Sequence, residues 1–404
     1  MKRIALPFFF LVFLFQLLPV PATYAESFRY GLDVLDAERC LSLQGKRVGM
    51  ITNAVSVSGF GEPGYQVLLR NGVELKFLMA PEHGFTLEHE AGEKVGNSAI
   101  GDAIPVYSLY GKTKRPDSEL LKTIDLLVFD LQDAGVRCYT YISTMKLAME
   151  ACRDAGIAFM VLDRPNPIAP MPVSGFVLDP DYESFVGAAE LPFIHGMTVG
   201  EIANWLQQRN YPDLFLQVVR MSGYRHDLFA DELPGYRFRS PSPNLRDFET
   251  LLLYPATVML EATAVSEGRG TEAPFKLFGA PFINSEVLLS ELLQYDLPGL
   301  SLEAASFVPS SSKFAGSTCY GIRLAVTDRA RFEPFRTQAV ILLALQKLYP
   351  DQFGLNKDFF DKLTGTDRYR QMVVRQKPVD KILHTAQKEV RKFNEKNRSC
   401  FLYP

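Results

Sequence analysis

The chain has 404 residues, 47% of them hydrophobic and 22% charged, with a formal net charge of −3. So small a charge gives no electrostatic reason to expect nucleic acid or anionic lipid as a partner, and the apolar share is ample for two domains or one large one. The five cysteines, Cys40, Cys138, Cys152, Cys319 and Cys400, are scattered without C-x-x-C spacing, so neither a pairing scheme nor a metal knuckle follows from them.

The N-terminus reads as a signal peptide over residues 1–25. Lys2-Arg3 is the charged start, Ile4 to Val20 is almost unbroken apolar sequence, and Thr23-Tyr24-Ala25 fits a cleavage site. No cysteine lies beside that site for lipid attachment. Removal takes Lys2 and Arg3 with it, so the charge moves from −3 to −5. A periplasmic or secreted protein is expected, with no membrane attachment after cleavage, because no second apolar run reaches membrane length.

A first domain is expected over 26–190, in which strand and helix alternate from residue 30 to about 170. Arg47 to Ile51 is a strand ending in Thr52-Asn53, and Pro63 to Asn71 is a helix. Val73 to Met79 is a second strand that stops at Pro81, which has no N–H to give a ladder, and Glu82-His83-Gly84 follow at once. Ile124 to Phe129 is a third strand, leading into Asp130-Leu131-Gln132-Asp133. Ser143 to Gly156 has helical spacing with glycine at its C-cap, and Ile157 to Leu162 is a fourth strand ending in Asp163-Arg164. Alternating βα units predict a Rossmann-like parallel sheet, whose strand ends open on one edge. Four polar clusters, one after each strand, would meet there and form a cleft.

A second α/β domain is expected over 191–404. Thr198-Val199-Gly200-Glu201 is a capping box that opens a helix. Leu214 to Met221, Thr257 to Ala264 and Thr318 to Val326 read as strands, and Pro334 to Leu348 and Val379 to Phe393 as helices. The loops Ser240-Pro241-Ser242-Pro243-Asn244 and Ser266-Glu267-Gly268-Arg269-Gly270-Thr271 carry polar groups on stiff or close-approaching backbone.

The chemistry is narrowed by what is missing. There is no G-x-S-x-G elbow, no P-loop and no H-E-x-x-H. Loop carboxylates remain: Glu82, Glu93, Asp130, Asp133, Asp163 and Glu267. Paired carboxyl groups are the usual equipment for cleaving a glycosidic bond, one of them as general acid. Glu82, at the end of an apolar strand, suits the acid, and His83 beside it suits a proton relay. Arg137, Arg164 and Arg269 could each hold a carboxylate through two parallel bonds, and Tyr139 and Tyr141 at i, i+2 read as one face of a strand or a flat surface for a sugar. Pairing of the acids with these arginines is the structural alternative.

Pro81-Glu82-His83-Gly84-Phe85, Ala91-Gly92-Glu93, the run Phe129 to Tyr141, Leu162-Asp163-Arg164-Pro165-Asn166-Pro167, His195-Gly196-Met197-Thr198, Pro241-Ser242-Pro243-Asn244 and Val265 to Thr271 together resemble the signatures of the exo-β-N-acetylmuramidases. The likeness runs in order over nearly the whole mature chain. Thr86-Leu87-Glu88-His89 and Lys313-Phe314-Ala315-Gly316 depart from the family pattern. The resemblance implies a Rossmann-like domain and a second α/β domain with the cleft between them. It also implies removal of terminal N-acetylmuramic acid from the non-reducing ends of peptidoglycan fragments, that is, muropeptides or disaccharides. Glu82, His83 and Glu93 are then the expected catalytic residues. Asn53, Asp130, Asp133, Arg137, Tyr139, Arg164, Asn244, Glu267 and Arg269 are the expected substrate contacts, with Arg269 the favoured reader of the lactyl carboxylate. No cofactor or metal is expected. Two other readings stay open: a muropeptide-binding protein without catalysis, and a metal-dependent hydrolase built on His83, Asp130 and Asp133.

Overall fold

The computed structural model describes residues 27–100 and 104–404, so the expected signal peptide lies outside the described residues. Ten strands are numbered in chain order: β1 Arg47–Ile51, β2 Glu74–Ala80, β3 Ser98–Ile100, β4 Ile104–Ser108, β5 Leu126–Phe129, β6 Ala158–Leu162, β7 Leu216–Val219, β8 Leu277–Ala280, β9 Leu300–Phe307 and β10 Cys319–Val326. The first seven form one sheet in the order β3-β4-β2-β1-β5-β6-β7, parallel except for the antiparallel edge strand β3. Chain order reverses direction at β1, between its neighbours β2 and β5, which is where open α/β sheets leave a crevice beyond the strand ends.

The four strands expected from sequence in the N-terminal half are all present, and the reason is visible in their packing. Alternate residues face two apolar layers. Met50, Leu78, Val128 and Met160 point to the layer under the helices Gly31–Ala37 and Gly64–Arg70, while Ile51, Met79, Phe129 and Val161 point to the other. Strands covered on both faces must be apolar throughout, which is the pattern the sequence presents. The helix Tyr141–Ala155 ends on Gly156 in the left-handed region (φ 67°), as its C-cap position requires.

The chain beyond residue 190 gives β7 to the first sheet and then builds a smaller antiparallel sheet, β8-β10-β9. The Thr198–Glu201 capping box forms as written: the Thr198 hydroxyl accepts from Glu201 N at 3.2 Å and Glu201 accepts from Thr198 N at 2.9 Å. Phe278, Ile322 and the helix Pro334–Leu348 join the same apolar layer as Phe129 and Val161, so one continuous core runs from the large sheet into the small one.

Two local expectations are overturned. Thr257 to Ala264 is not a strand. Thr257 closes the helix Phe248–Thr257, and a 3₁₀ segment, Val258–Ala262, continues it. A short apolar run that is buried on all sides satisfies helix and strand equally, and periodicity does not separate them. Tyr139 and Tyr141 are not one face of a strand either: Tyr139 lies in a turn and Tyr141 opens the helix Tyr141–Ala155.

Candidate active site

A cavity of about 270 Å³ opens where the large sheet's C-terminal edge meets the second half of the chain. Glu82, His83, Tyr110, Tyr139 and Thr140 line it from one side, and Ser242, Tyr254, Glu261, Arg269 and Phe275 from the other.

Glu82 is 6% exposed and held at both oxygens. Oε1 accepts from Gly92 N at 2.8 Å, and Oε2 lies 2.5 Å from the Thr140 hydroxyl. Burial, reinforced by the nearby Glu82 charge, holds the Tyr110 phenol above its ordinary range. The carboxyl group is thus fixed by three elements: the turn after β2, the loop through Gly92, and the N-cap of the helix Tyr141–Ala155.

His83 has φ +73°, an uncommon conformation for a residue with a Cβ, and Gly84 follows at +78°. The pair turns the chain sharply away from β2 and lets the imidazole line the cavity. Its Nδ1 is 2.8 Å from the His89 carbonyl. A carbonyl only accepts, so Nδ1 carries the proton and neutral His83 keeps a lone pair on Nε2. Burial lowers its pKa, against the opposing effect of the bond to His89, so the neutral form is favoured.

Across the cavity, Arg269 lies between two carboxylates. Nη2 is 2.6 Å from Glu261 Oε1, Nε is 3.3 Å from Glu267 Oε1, and the guanidinium stacks 5.0 Å from the Phe275 centroid. Lys313 closes the group, its ammonium 3.1 Å from Glu267 Oε2 and bonded to the carbonyls of Leu260 and Val265. Burial pushes the Glu261 carboxyl up, Arg269 pulls it down, and Glu267 adds to the rise. Glu261 lines the cavity; Glu267 and Lys313 stand behind it.

Of the residues expected from sequence, Glu82, His83, Tyr139 and Arg269 come together at the cavity. The others knit the loops around it. Asn53 donates to the Tyr141 hydroxyl at 3.2 Å and accepts from Ser56. Asp130 pairs with Arg164 through two contacts, at 2.5 and 3.1 Å. Asp133 accepts from Gly135 N at 2.7 Å and faces His195 at 3.3 Å. Arg137 is fully buried, donates to the carbonyls of Phe176, Leu191 and Leu363, and has its pKa pulled down to about 10 by desolvation. Asn244 donates to Glu90 at 2.7 Å. Glu93 is half-exposed and pairs with His89 at 3.1 Å, away from the cavity lining. Among the described residues no group of three or more His, Cys, Asp or Glu side chains is placed to hold a metal ion. The five cysteines are buried and unbridged.

Sequence reasoning did not single out Thr140, Tyr110 or Glu261. Thr140 is hidden as a helix N-cap. Tyr110 follows β4, a five-residue strand containing Pro105 that went unread; once β4 is recognised as parallel, Tyr110 belongs to the same edge as Glu82. Glu261 was inside the misread apolar run.

Comparison with known proteins places the whole chain in one family. The family profile for the N-terminal domain of exo-β-N-acetylmuramidase NamZ matches residues 48–249, and that for its C-terminal domain matches residues 252–403. The peptidoglycan β-N-acetylmuramidase NamZ of Bacillus subtilis (strain 168) is 42% identical over 379 residues, covering 92% of this chain and 91% of that protein. Two crystal structures of DUF1343 family proteins from Bacteroides fragilis NCTC 9343 superpose with TM-scores of 0.85 and 0.75, at 30% and 28% identity. Each match covers 93% of this chain and 99% of the other. The chain belongs to the exo-β-N-acetylmuramidase family.

Proposed function

We propose that the protein is a glycoside hydrolase that removes terminal N-acetylmuramic acid from the non-reducing ends of peptidoglycan fragments. The observation that carries this reading is the fixed carboxyl of Glu82 in a cavity sized for one sugar. At about 270 Å³ the space falls just under the usual range for small-molecule sites, roughly 300–1,000 Å³, and so suits a chain end rather than a threaded polymer. Tyr139, Tyr254 and Phe275 give it apolar surface for the C–H faces of a pyranose.

In this reading Glu82 is the general acid. Protonated, it delivers its proton to the glycosidic oxygen as the bond to the anomeric carbon breaks; the Gly92 N–H and Thr140 hydroxyl hold the carboxyl in place throughout. His83, neutral with its lone pair on Nε2, is placed to accept a proton from the attacking water or to return one to Glu82. Glu261, the second carboxyl group of the cavity, faces the developing positive charge of the sugar ring.

The substrates are muropeptide or disaccharide fragments, and the Lys2-Arg3 start with its apolar run supports action outside the cytoplasm after the signal peptide is removed. Incubating the mature protein with a chromogenic β-glycoside of N-acetylmuramic acid, with and without chelator, tests the reading. Release of the chromophore in both samples supports it. No release would favour a binding protein, and release abolished by chelator would favour a metal-dependent hydrolase.

A further inference from the structure

A cavity that distinguishes a muramyl end from a glucosaminyl end must recognise the lactyl ether, whose carboxylate is charged at neutral pH. Recognition calls for a cation that is not already neutralised. Arg269 is the cation in the cavity lining, but it is engaged by Glu261 and Glu267, and two carboxylates against Arg269 and Lys313 leave no surplus positive charge. Arg137 is sealed under backbone carbonyls and does not line the cavity.

Lys114 is different. Its ammonium lies 3.8 Å from the centroid of the Phe185 ring and 4.6 Å from that of Tyr110, whose own centroids are 5.6 Å apart. Among the described residues it forms no ion pair and no hydrogen bond; two aromatic faces position it instead. Tyr110 lines the cavity, as does Val186, next to Phe185 in the chain. Lys114 is not itself a lining residue, but unlike Arg137 it is not sealed under backbone carbonyls, and it packs against Tyr110, which lines the Glu82 side of the cavity. Burial lowers its pKa and the charge of Glu82 raises it, which places the two groups within electrostatic reach of each other. The neighbouring Arg115 is spent on Glu150 and Asp154.

We infer that Lys114 is the specificity-determining residue that receives the lactyl carboxylate of the terminal N-acetylmuramic acid. This rests on the muramidase reading of the cavity. The lactyl group hangs from the same ring as the scissile bond, so its carboxylate lies within one sugar's breadth of Glu82, on the side of the cavity where Tyr110 carries Lys114. Held between two rings and partly desolvated, the ammonium attracts a carboxylate more strongly than a fully hydrated surface lysine does. It carries the charge without the bidentate fork, so selection is by charge and place.

The test compares wild type, Lys114→Met and Lys114→Arg. Turnover is measured on chromogenic β-glycosides of N-acetylmuramic acid and N-acetylglucosamine, and binding of the two free sugars by calorimetry at low and high salt. Lys114→Met should lower kcat/KM for the muramyl glycoside about 10- to 100-fold, the scale of one charge-assisted contact. It should leave the glucosaminyl value nearly unchanged and remove the salt dependence of N-acetylmuramic acid binding, while Lys114→Arg restores part of the preference. An unchanged muramyl-to-glucosaminyl ratio in Lys114→Met overturns the assignment and leaves the muramidase reading standing. If wild type cleaves neither glycoside, that reading fails, and the binding series still decides: loss of preferential N-acetylmuramic acid binding in Lys114→Met supports the assignment and its retention refutes it.

Discussion

The Thr140 hydroxyl stands 2.5 Å from Oε2 of Glu82, and Thr140 immediately precedes the helix Tyr141–Ala155. The carboxyl at the end of one sheet strand is therefore oriented by the start of the helix that follows another. This is how a doubly wound fold makes a rigid site out of loops: the groups are carried at the ends of packed elements, which leave them little freedom.

Thr140→Val keeps the shape and removes the hydroxyl. A hydrogen bond contributes about 1–1.5 kcal/mol net, so kcat should fall about tenfold, with a melting temperature within a few degrees of wild type. Thr140→Ser should keep most of the rate. Steady-state kinetics of both variants check this, and equal rates for Val and Ser would show that the hydroxyl does not orient Glu82.

Arg269→Met removes the cation between the buried carboxylate of Glu267 and the part-buried one of Glu261. Breaking a buried ion pair by removing one partner costs about 3–5 kcal/mol, and Lys313 remains to offset only Glu267. Urea unfolding should show the midpoint falling accordingly. A midpoint equal to that of wild type would mean the cluster is not held together by Arg269.

Asp163 gives a pH dependence of definite sign. It is fully buried and accepts from the Thr198 and Tyr403 hydroxyls and Gly200 N, yet burial outweighs these bonds and pushes its carboxyl up to about 7. Between the ordinary 3.8 and that value the folded state holds a proton that the unfolded state has lost. The stability so conferred is present at the acid end and is lost as pH rises through about 7, by up to about 1.4 kcal/mol per pH unit. Asp163→Asn cannot titrate. The unfolding free energy of wild type minus that of Asp163→Asn should therefore fall between about pH 4.5 and pH 7.5. A difference that is flat or rising over that window would contradict the assignment.

How much was legible in the sequence depended on how directly a residue's neighbours in the chain determine its surroundings. The parallel sheet was readable because strands buried on both faces are apolar throughout, as in Leu126 to Phe129. Glu82 and His83 were readable because Pro81 ends a strand immediately before them. The partners were not. Whether an acid at a strand end faces a ligand or an arginine depends on side chains far away in sequence: Asp130 finds Arg164 and Asn53 finds Tyr141, so both became scaffold. Arg269 was correctly placed at the cavity, but Glu261, which occupies its guanidinium, was concealed in a run whose conformation apolar spacing does not decide. Lys114 carries no motif at all; its position between Tyr110 and Phe185 arises only when the chain closes.

The central claim is that Glu82 is the proton donor for glycoside cleavage, and Glu82→Gln tests it most directly. Glutamine keeps the side chain's shape and its place beside Thr140 but has no transferable proton. On an unactivated disaccharide with N-acetylmuramic acid at the non-reducing end, kcat should fall about 10²–10⁴-fold, the usual contribution of general acid catalysis, while the melting temperature stays near that of wild type. A Glu82→Gln variant that releases N-acetylmuramic acid from this substrate at close to the wild-type kcat would contradict the account.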